Sequence, residues 1–129
     1  MAEIAAGKDA QRYAVSRCVR DVGKVLVRDH RELDDGVADL AHKLDVSLPR
    51  SVTSEQRDQL RDIRRKGHSR RYDRMWLKAQ EAGHVAVLKL IDEEVKSGKD
   101  ATVRAGAGAA RPVVAKHLDM VRGCMQRRR

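Results

Sequence analysis

Three histidines occupy positions at which their imidazole nitrogens could converge on a metal ion. His30, His84 and His117 each fall on the apolar stripe of a different predicted helix. Neutral imidazole suits Cu or Zn, and Asp29 and Glu81 are placed to orient the rings from outside the ligand set. The alternative is that each histidine is half-buried and hydrogen-bonded to a neighbouring carboxylate or carbonyl, because single core histidines are common. The sequence leaves both interpretations open.

A di-iron oxidase site is a second reading of the same histidines. Such a site in a helical bundle needs a Glu from each of two helices and two Glu-x-x-His pairs. Only Glu81-x-x-His84 has that spacing, because valine stands three residues before each of the other two core histidines. A single pair of this kind supplies no matched acid and base, so we expect a slow enzyme to be the weakest interpretation.

Other catalytic patterns are absent from the sequence. There is no Cys-x-x-Cys, no Gly-x-Ser-x-Gly, no phosphate-cradling glycine loop and no His-Glu-x-x-His. We therefore expect that the protein is not an enzyme and that it needs no cofactor unless the histidines bind Cu or Zn.

Helical segments must position these residues. The first is predicted from Ala2 to about Tyr13, and a second, long helix follows with apolar residues at alternating steps of three and four. That stripe is Val15, Val19, Val22, Leu26, His30, Leu33, Val37, Leu40 and Leu44. The segment Ser47-Leu48-Pro49 ends the second helix, because proline disfavours helical conformation before it and donates no backbone hydrogen bond.

The second half of the chain starts with a capping-box pattern, Thr53-x-x-Gln56, which predicts a short helix through about Lys66. Gly67 and Ser69 break the chain and cap the next long helix, which closes at Ser97-Gly98. Its predicted buried positions are Trp76, Leu77, His84, Val87, Leu88, Leu90, Ile91 and Val95. The last helix carries the stripe Val103, Ala107, Ala110, Val114, His117, Val121 and Cys124.

Length and composition agree with one helical domain. A chain of 129 residues with 41% hydrophobic residues and no Phe has to build its core from Val, Leu, Ala and Ile, a composition that suits helices better than a β-sandwich. We expect a single bundle over 1–126 and a basic tail over 127–129.

The net charge of +9 is localised. Between Arg57 and Arg74 there are eight Lys or Arg residues against three Asp, and the tail adds a second excess. An anionic polymer is a candidate partner for this region, although a solvated face is the alternative. Stacking aromatics are nearly absent around it, which excludes sequence-specific recognition of single-stranded nucleic acid. The predicted patch is Arg61, Arg64, Arg65, Lys66, Arg70, Arg71 and Arg74.

Membrane and export signals are missing from the sequence as it stands. No stretch reaches the roughly 18 to 20 consecutive apolar residues of a membrane span, and no secretion signal opens the chain. Met1 is followed at once by residues typical of the middle of a helix. We expect either a start inside a longer reading frame, with the first helix shortened, or a complete cytoplasmic protein.

Several short motifs together resemble a large bacterial family of unknown function whose members often carry the label outer membrane protein. The motifs, in order, are Ala2-Glu3-Ile4-Ala5-Ala6-Gly7, Val27-Arg28-Asp29-His30, Leu48-Pro49, Tyr72-Asp73, His84 and Arg111-Pro112-x-x-x-x-His117-Leu118. The resemblance covers the whole chain. It implies a ferritin-like four-helix bundle, export behind a signal peptide to an extracytoplasmic location, and no established activity.

The cysteines test the bundle topology. If all helices alternated up and down through short turns, Cys18 and Cys124 would lie roughly 40 Å apart, far beyond the limit of about 7 Å between disulfide Cα atoms. The connection over 47–69 is long enough to run back along the bundle and make the second and third long helices parallel. We therefore predict a Cys18–Cys124 disulfide, the alternative being two small buried hydrophobes. The same crossover brings the three histidines to heights that agree within roughly 7 Å.

Three functional interpretations follow in order of preference. The first is a non-enzymatic bundle with a structural or interaction role in the cell envelope. The second is a protein that binds Cu or Zn through its histidines, and the third is a non-specific binder of an anionic envelope polymer.

Overall fold

A computed structural model describes residues 2–43 and 54–127, with side chains for 3–33 and 54–127. Within these ranges the chain is all-helical, as predicted. The helices are α1 (Ala2–Tyr13), α2 (Arg17–Lys43), α3 (Ser54–Arg64), α4 (Arg70–Ser97) and α5 (Ala101–Arg127). The predicted stop at Ser47-Leu48-Pro49, the capping residue Thr53 and the end of the basic tail lie outside the described residues. The same holds for the side chains of Val37, Leu40 and Leu44.

A carboxylate from α4 holds the turn between α1 and α2. Asp73 is fully buried, and its two oxygens accept hydrogen bonds from the backbone N–H groups of Val15 (3.0 Å) and Ser16 (2.7 Å). The first N–H groups of a helix have no partner inside it, so Asp73 caps the entry to α2 from a distant part of the chain.

The break between α3 and α4 occurs where Gly67 and Ser69 predict it, but the glycine does not take the left-handed conformation. His68 does, with φ of 60°, and its N–H donates to the carbonyl of Tyr13 at 2.8 Å. Gly67 is needed for space instead, since a Cβ there would lie 3.0 Å from the Tyr13 ring. Ser69 then caps α4 by accepting from the N–H of Tyr72 at 3.2 Å.

The other helix ends are closed by short polar contacts. Gly98 ends α4 as predicted, and its N–H donates to the carbonyl of Glu94 at 2.7 Å. Asp100, which the sequence prediction did not single out, caps α5 by accepting from the N–H groups of Thr102 (2.8 Å) and Val103 (3.0 Å). Aspartate is a favoured residue at this position because its oxygen reaches those two donors.

Four helices contact one another in a ring: α1 packs on α2, α2 on α5, α5 on α4 and α4 on α1. In α4 and α1, Tyr72 contacts Asp9 and Trp76 contacts Ala6. Residue numbers therefore rise along one helix as they fall along the other, which makes α1 and α4 antiparallel.

The two remaining long helices are antiparallel as well. Cys18 lies beside Cys124 and Asp29 beside His117, so α2 runs against α5. Glu81 pairs with Arg122 and Asp92 with Arg111, so α4 also runs against α5. It follows that α2 and α4 are parallel, as the predicted crossover requires.

The core lies at the end of the bundle where the cysteines meet. Its buried members are Ala10, Ala14, Val19, Val22, Leu26, Ile63, Tyr72, Trp76, Leu77, Val121 and Cys124. Both Trp76 and Tyr72 are completely buried and place their polar atoms on α1, which satisfies the rule that a buried N–H or O–H finds an acceptor.

Four predicted core positions are wrong. Val15, Val87, Leu90 and Val95 are 47%, 42%, 64% and 45% exposed. Val15 lies in the turn before α2, and the other three lie on the second half of α4. The register of α1 places Ala6 beside Trp76, so the described residues of α1 pack on the first half of α4 and not on the half that carries these three positions. Among the described residues, none of the helices combines the length and the apolarity needed to cross a bilayer.

Candidate metal centre

The three core histidines meet in the interior, as their predicted heights require. His30 from α2, His84 from α4 and His117 from α5 each offer one ring nitrogen, and the three nitrogens lie within 4.8 Å of one another. The ring centroids are 5.0 to 6.2 Å apart. His84 and His117 are 2% and 0% exposed, and His30 is partly buried.

Hydrogen bonds fix the orientation of two of the rings. His84 Nδ1 lies 2.7 Å from the backbone carbonyl of Gln80, one turn earlier on α4. His117 Nε2 lies 2.8 Å from a carboxylate oxygen of Asp29 on α2. Since a carbonyl and a carboxylate only accept, each of these ring nitrogens carries the proton and donates.

The opposite nitrogen of each ring is therefore left with a lone pair. His84 Nε2 and His117 Nδ1 are buried, and neither has a hydrogen-bond partner among the residues with described side chains. Burying a polar atom without a partner costs free energy, on the order of 1–3 kcal/mol. Two such atoms in one cluster are unusual in a packed interior. A bound cation that accepts their lone pairs would satisfy both.

The electrostatic environment keeps the imidazole of His117 neutral. Burial lowers the pKa of His117 below its ordinary value and outweighs the opposing hydrogen bond to Asp29. Burial acts to raise the pKa of Asp29, but hydrogen bonds from Arg28 and His117 outweigh it, so the pKa of Asp29 falls below its ordinary value. A neutral imidazole held by an ionised carboxylate is the usual arrangement around a metal-ligating histidine.

The donor set fits a transition metal. Imidazole nitrogens suit Zn and Cu. A tetrahedral Zn²⁺ with bonds of about 2.0–2.1 Å requires nitrogens about 3.4 Å apart, so the nitrogens would have to approach one another from separations of up to 4.8 Å.

The two predicted orienting residues have different roles in the structure. Asp29 accepts a hydrogen bond from His117 Nε2, the contact expected of a residue that orients this ring. Glu81 instead forms an ion pair with Arg122 of α5, with an N–O distance of 3.1 Å. The residue that orients His84 is Gln80, acting through its backbone carbonyl. No side-chain type marks that role, so no sequence motif could have shown it.

The predicted cysteine pair is at disulfide distance. Cys18 and Cys124 are joined with their Cα atoms 5.7 Å apart, although 106 residues separate them in the chain. The bond links the first turn of α2 to the last turns of α5.

At least three of the seven members of the basic patch form ion pairs. Arg61 pairs with Asp58 at 2.9 Å and Arg65 with Asp62 at 3.9 Å. Arg64 donates to the buried carboxylate of Asp9 at 2.7 Å, and its guanidinium lies 5.5 Å from the centre of the Tyr13 ring. The remaining members, Lys66, Arg70, Arg71 and Arg74, lie at the α3–α4 junction and on the first turns of α4. These pairs lower the charge that the patch can offer to a polyanion.

Comparison with known proteins agrees with the predicted membership in a family of unknown function. Residues 1–123 match the model of a family described as Domain of unknown function (DUF4142). Comparison with curated proteins found no match, and comparison with solved structures found none either.

Proposed function

Because the chain belongs to a family of unknown function, DUF4142, its role has to be inferred from its own residues, and we propose that it is a non-enzymatic helical bundle that binds one Cu or Zn ion through His30, His84 and His117. The observation that carries the proposal is the pair of buried lone pairs on His84 Nε2 and His117 Nδ1. Both face a cluster that already contains a third imidazole. A bound cation would accept all three lone pairs.

The arrangement supports binding rather than catalysis. Two of the rings have fixed protons and are 2% exposed or less. An acid–base catalyst has to exchange protons with its substrate, whereas these histidines donate theirs to Gln80 and Asp29. This chemistry supports a structural or interaction role for the metal-bound bundle.

We also propose a ferritin-like bundle located outside the cytoplasm, in the cell envelope. The parallel α2 and α4 support the ferritin-like crossover. The disulfide pair supports the location, since disulfides persist mainly in oxidising compartments.

The test is metal analysis of the purified protein. The chain is stripped of metal, dialysed separately against Zn²⁺ and Cu²⁺, and compared with His30→Ala, His84→Ala and His117→Ala. We expect about one equivalent for the wild type and a large loss in each variant, because removing one ligand leaves a site with two nitrogens. The control is His68→Asn, which removes an exposed histidine while keeping a residue that tolerates its left-handed backbone. The proposal would be overturned if the wild type retained no metal, or if the three histidine-to-alanine variants retained as much metal as the wild type.

Asp29→Asn provides a second variant that leaves all three ligands in place. It removes the carboxylate that fixes the proton on His117 Nε2, so we expect metal affinity to fall roughly 10- to 100-fold. Unchanged thermal unfolding of the metal-free variant would show that the loss belongs to the site and not to the fold.

A further inference from the structure

Glu3 on α1 is partly buried and lies close enough to His84 for their charges to interact. Glu3 Oε2 is inaccessible to solvent and has no hydrogen-bond partner among the residues with described side chains. The same is true of the lone-pair nitrogens on His84 and His117. An ionised carboxylate in such a place is costly unless it is paired or coordinates a metal.

The helix register brings Glu3 to the level of the histidine cluster along the bundle. Trp76 on α4 contacts the carbonyl of Ala6 on α1, and the two helices are antiparallel. Glu3 is three residues before Ala6, or roughly 4.5 Å along the axis, which places its backbone near the level of Gln80. Side chains in a helix lean toward its own N-terminus. The side chain of Glu3 therefore leans toward the level of His84, while the ring of His84 leans back over Gln80, as its hydrogen bond shows.

Close packing of α1 on α2 holds Glu3 there. A Cβ on Gly7 would lie 2.6 Å from the carbonyl oxygen of Gly23 and 2.8 Å from the side chain of Val27. The two backbones are therefore in contact one turn away from Glu3, and Val27 is one turn from His30. Electrostatics agree with the geometry: burial raises the pKa of Glu3, and attraction to His84 opposes that effect.

We infer that Glu3 supplies a carboxylate ligand to the histidine site, which becomes a His₃Glu centre for a divalent cation. The inference rests on the proposed function. Glu3 is not among the atoms that lie within 4.8 Å of one another, so its side-chain torsions change when the metal binds. Three histidines and one carboxylate are an acceptable tetrahedral set for Zn²⁺.

A carboxylate ligand also bears on the class of cation. The charge of Asp29 is balanced by its ion pair with Arg28, with an N–O distance of 2.9 Å, so Glu3 is the group that offsets the charge of a bound cation. A carboxylate oxygen is a hard ligand that stabilises a divalent ion, whereas a soft monovalent ion gains little from it beyond what the imidazoles supply. The contribution of Glu3 should therefore be larger for Zn²⁺ than for a monovalent ion.

The experiment measures the affinities of Zn²⁺ and Ag⁺ for the wild-type protein and for Glu3→Gln. Silver serves as the monovalent probe because Cu⁺ would require a reductant that could open the disulfide. Glu32→Gln is the matched control, since Glu32 lies close to His30 in sequence but is exposed. Glu3→Gln is expected to weaken Zn²⁺ binding roughly 10- to 100-fold and to leave Ag⁺ binding nearly unchanged, while Glu32→Gln changes neither. The visible spectrum of bound Co²⁺ should also change in Glu3→Gln, because an oxygen ligand has been altered.

The outcomes separate this inference from the proposed function. If the wild type and Glu3→Gln bind Zn²⁺ equally and give the same Co²⁺ spectrum, Glu3 is not a ligand, although the histidine site stands. If the wild type binds no Zn²⁺, the histidine site fails and the inference fails with it. Thermal unfolding distinguishes a ligand from a residue that only stabilises the fold. Without metal, Glu3→Gln should unfold at the same temperature as the wild type, whereas the loss of a purely structural contact would lower that temperature. When Zn²⁺ is added, Glu3→Gln should gain less stability than the wild type.

Discussion

Asp9 is a buried carboxylate on α1, and both of its oxygens are paired. They accept hydrogen bonds from the Tyr72 hydroxyl and from Arg64 Nε. Glu3 lies six residues earlier on the same short helix, and its Oε2 is buried without a hydrogen-bond partner among the residues with described side chains. Asp9 therefore stabilises the contacts of α1 with α3 and α4, whereas Glu3 belongs to the proposed metal site.

The Tyr72 contact predicts how stability depends on pH. Burial, together with the hydrogen bond to Asp9, raises the pKa of Tyr72 well above its ordinary value of 10.0. Above pH 10 the unfolded chain loses this proton while the folded chain keeps it, so unfolding becomes more favourable as the pH rises past about 10. The contribution of Tyr72 is fully present below that pH. We expect Tyr72→Phe to be less stable at neutral pH but to lose less stability between pH of about 9 and about 11.

Urea unfolding at several pH values would check this dependence. Tyr13→Phe is the control, because Tyr13 is only partly buried and has no part in the contact with Asp9. Parallel stability curves for the wild type and Tyr72→Phe above pH 10 would contradict the prediction.

At the residue scale the sequence indicated the core histidines better than their surroundings. The apolar stripes placed His30, His84 and His117 in the core on three helices, and counting the rise per residue along the predicted crossover topology gave them similar heights. Glu3 has no signal of its own beyond the family motif, because a single acid in the first turn of a helix is normally exposed. The backbone carbonyl of Gln80 had no signal at all.

At the element scale, the contact between α1 and α2 depends on the absence of side chains. A Cβ on Gly23 would lie 2.7 Å from the carbonyl oxygen of Gly7 and 3.0 Å from Cβ of Ala10. Neither neighbour is the end of a flexible side chain, so the helices themselves would have to move apart.

This contact gives a prediction with opposite signs at two glycines. Gly23→Ala should destabilise the protein by about 1–3 kcal/mol, the usual cost of overpacking. Gly108→Ala should stabilise it by about 0.5–1 kcal/mol, because alanine restricts the unfolded chain more than glycine does and a Cβ there meets no atom within 4 Å. Urea denaturation followed by circular dichroism would measure both changes, and a neutral or stabilising Gly23→Ala would contradict the close approach of the helices.

Helix positions were predictable from local signals, and helix burial was only partly so. Ser69 and Gly98 marked the ends of α4 because caps act within a few residues of the backbone groups that they satisfy. Val87, Leu90 and Val95 follow the helical period equally well but are exposed. Periodicity shows which face is apolar, whereas the reach of the neighbouring helix decides how much of that face is covered. That reach is a tertiary property.

For the whole molecule, the decisive sequence feature was the combination of two distant cysteines with one long connection. Neither the cysteine pair nor the long connection determines the topology alone, but together they exclude a simple up-and-down arrangement of the long helices. The level of the three histidines depends less on the topology, because His30, His84 and His117 all lie within about three residues of the midpoints of α2, α4 and α5 and stay close in height whichever way each helix runs. Contacts between residues distant in sequence, such as that of Asp73 with the α1–α2 turn, could not be predicted, because they depend on how the helices pack once the topology is formed.

The disulfide gives the last prediction. It closes a loop of 106 residues, and in the chain-entropy model a loop of this size restricts the unfolded state by about 4–5 kcal/mol at 25 °C. The double variant Cys18→Ala/Cys124→Ala should therefore unfold at a much lower temperature and lower urea concentration than the oxidised wild type, and the reduced wild type should behave similarly.

His30 lies twelve residues from Cys18, or roughly 18 Å along α2, so below its unfolding transition the double variant should still bind Zn²⁺ with nearly native affinity. Two free thiols in the natively purified protein, or a double variant as stable as the wild type, would contradict the disulfide prediction. A folded double variant that no longer bound Zn²⁺ would instead show that the disulfide sets the spacing of the helices that carry the histidines.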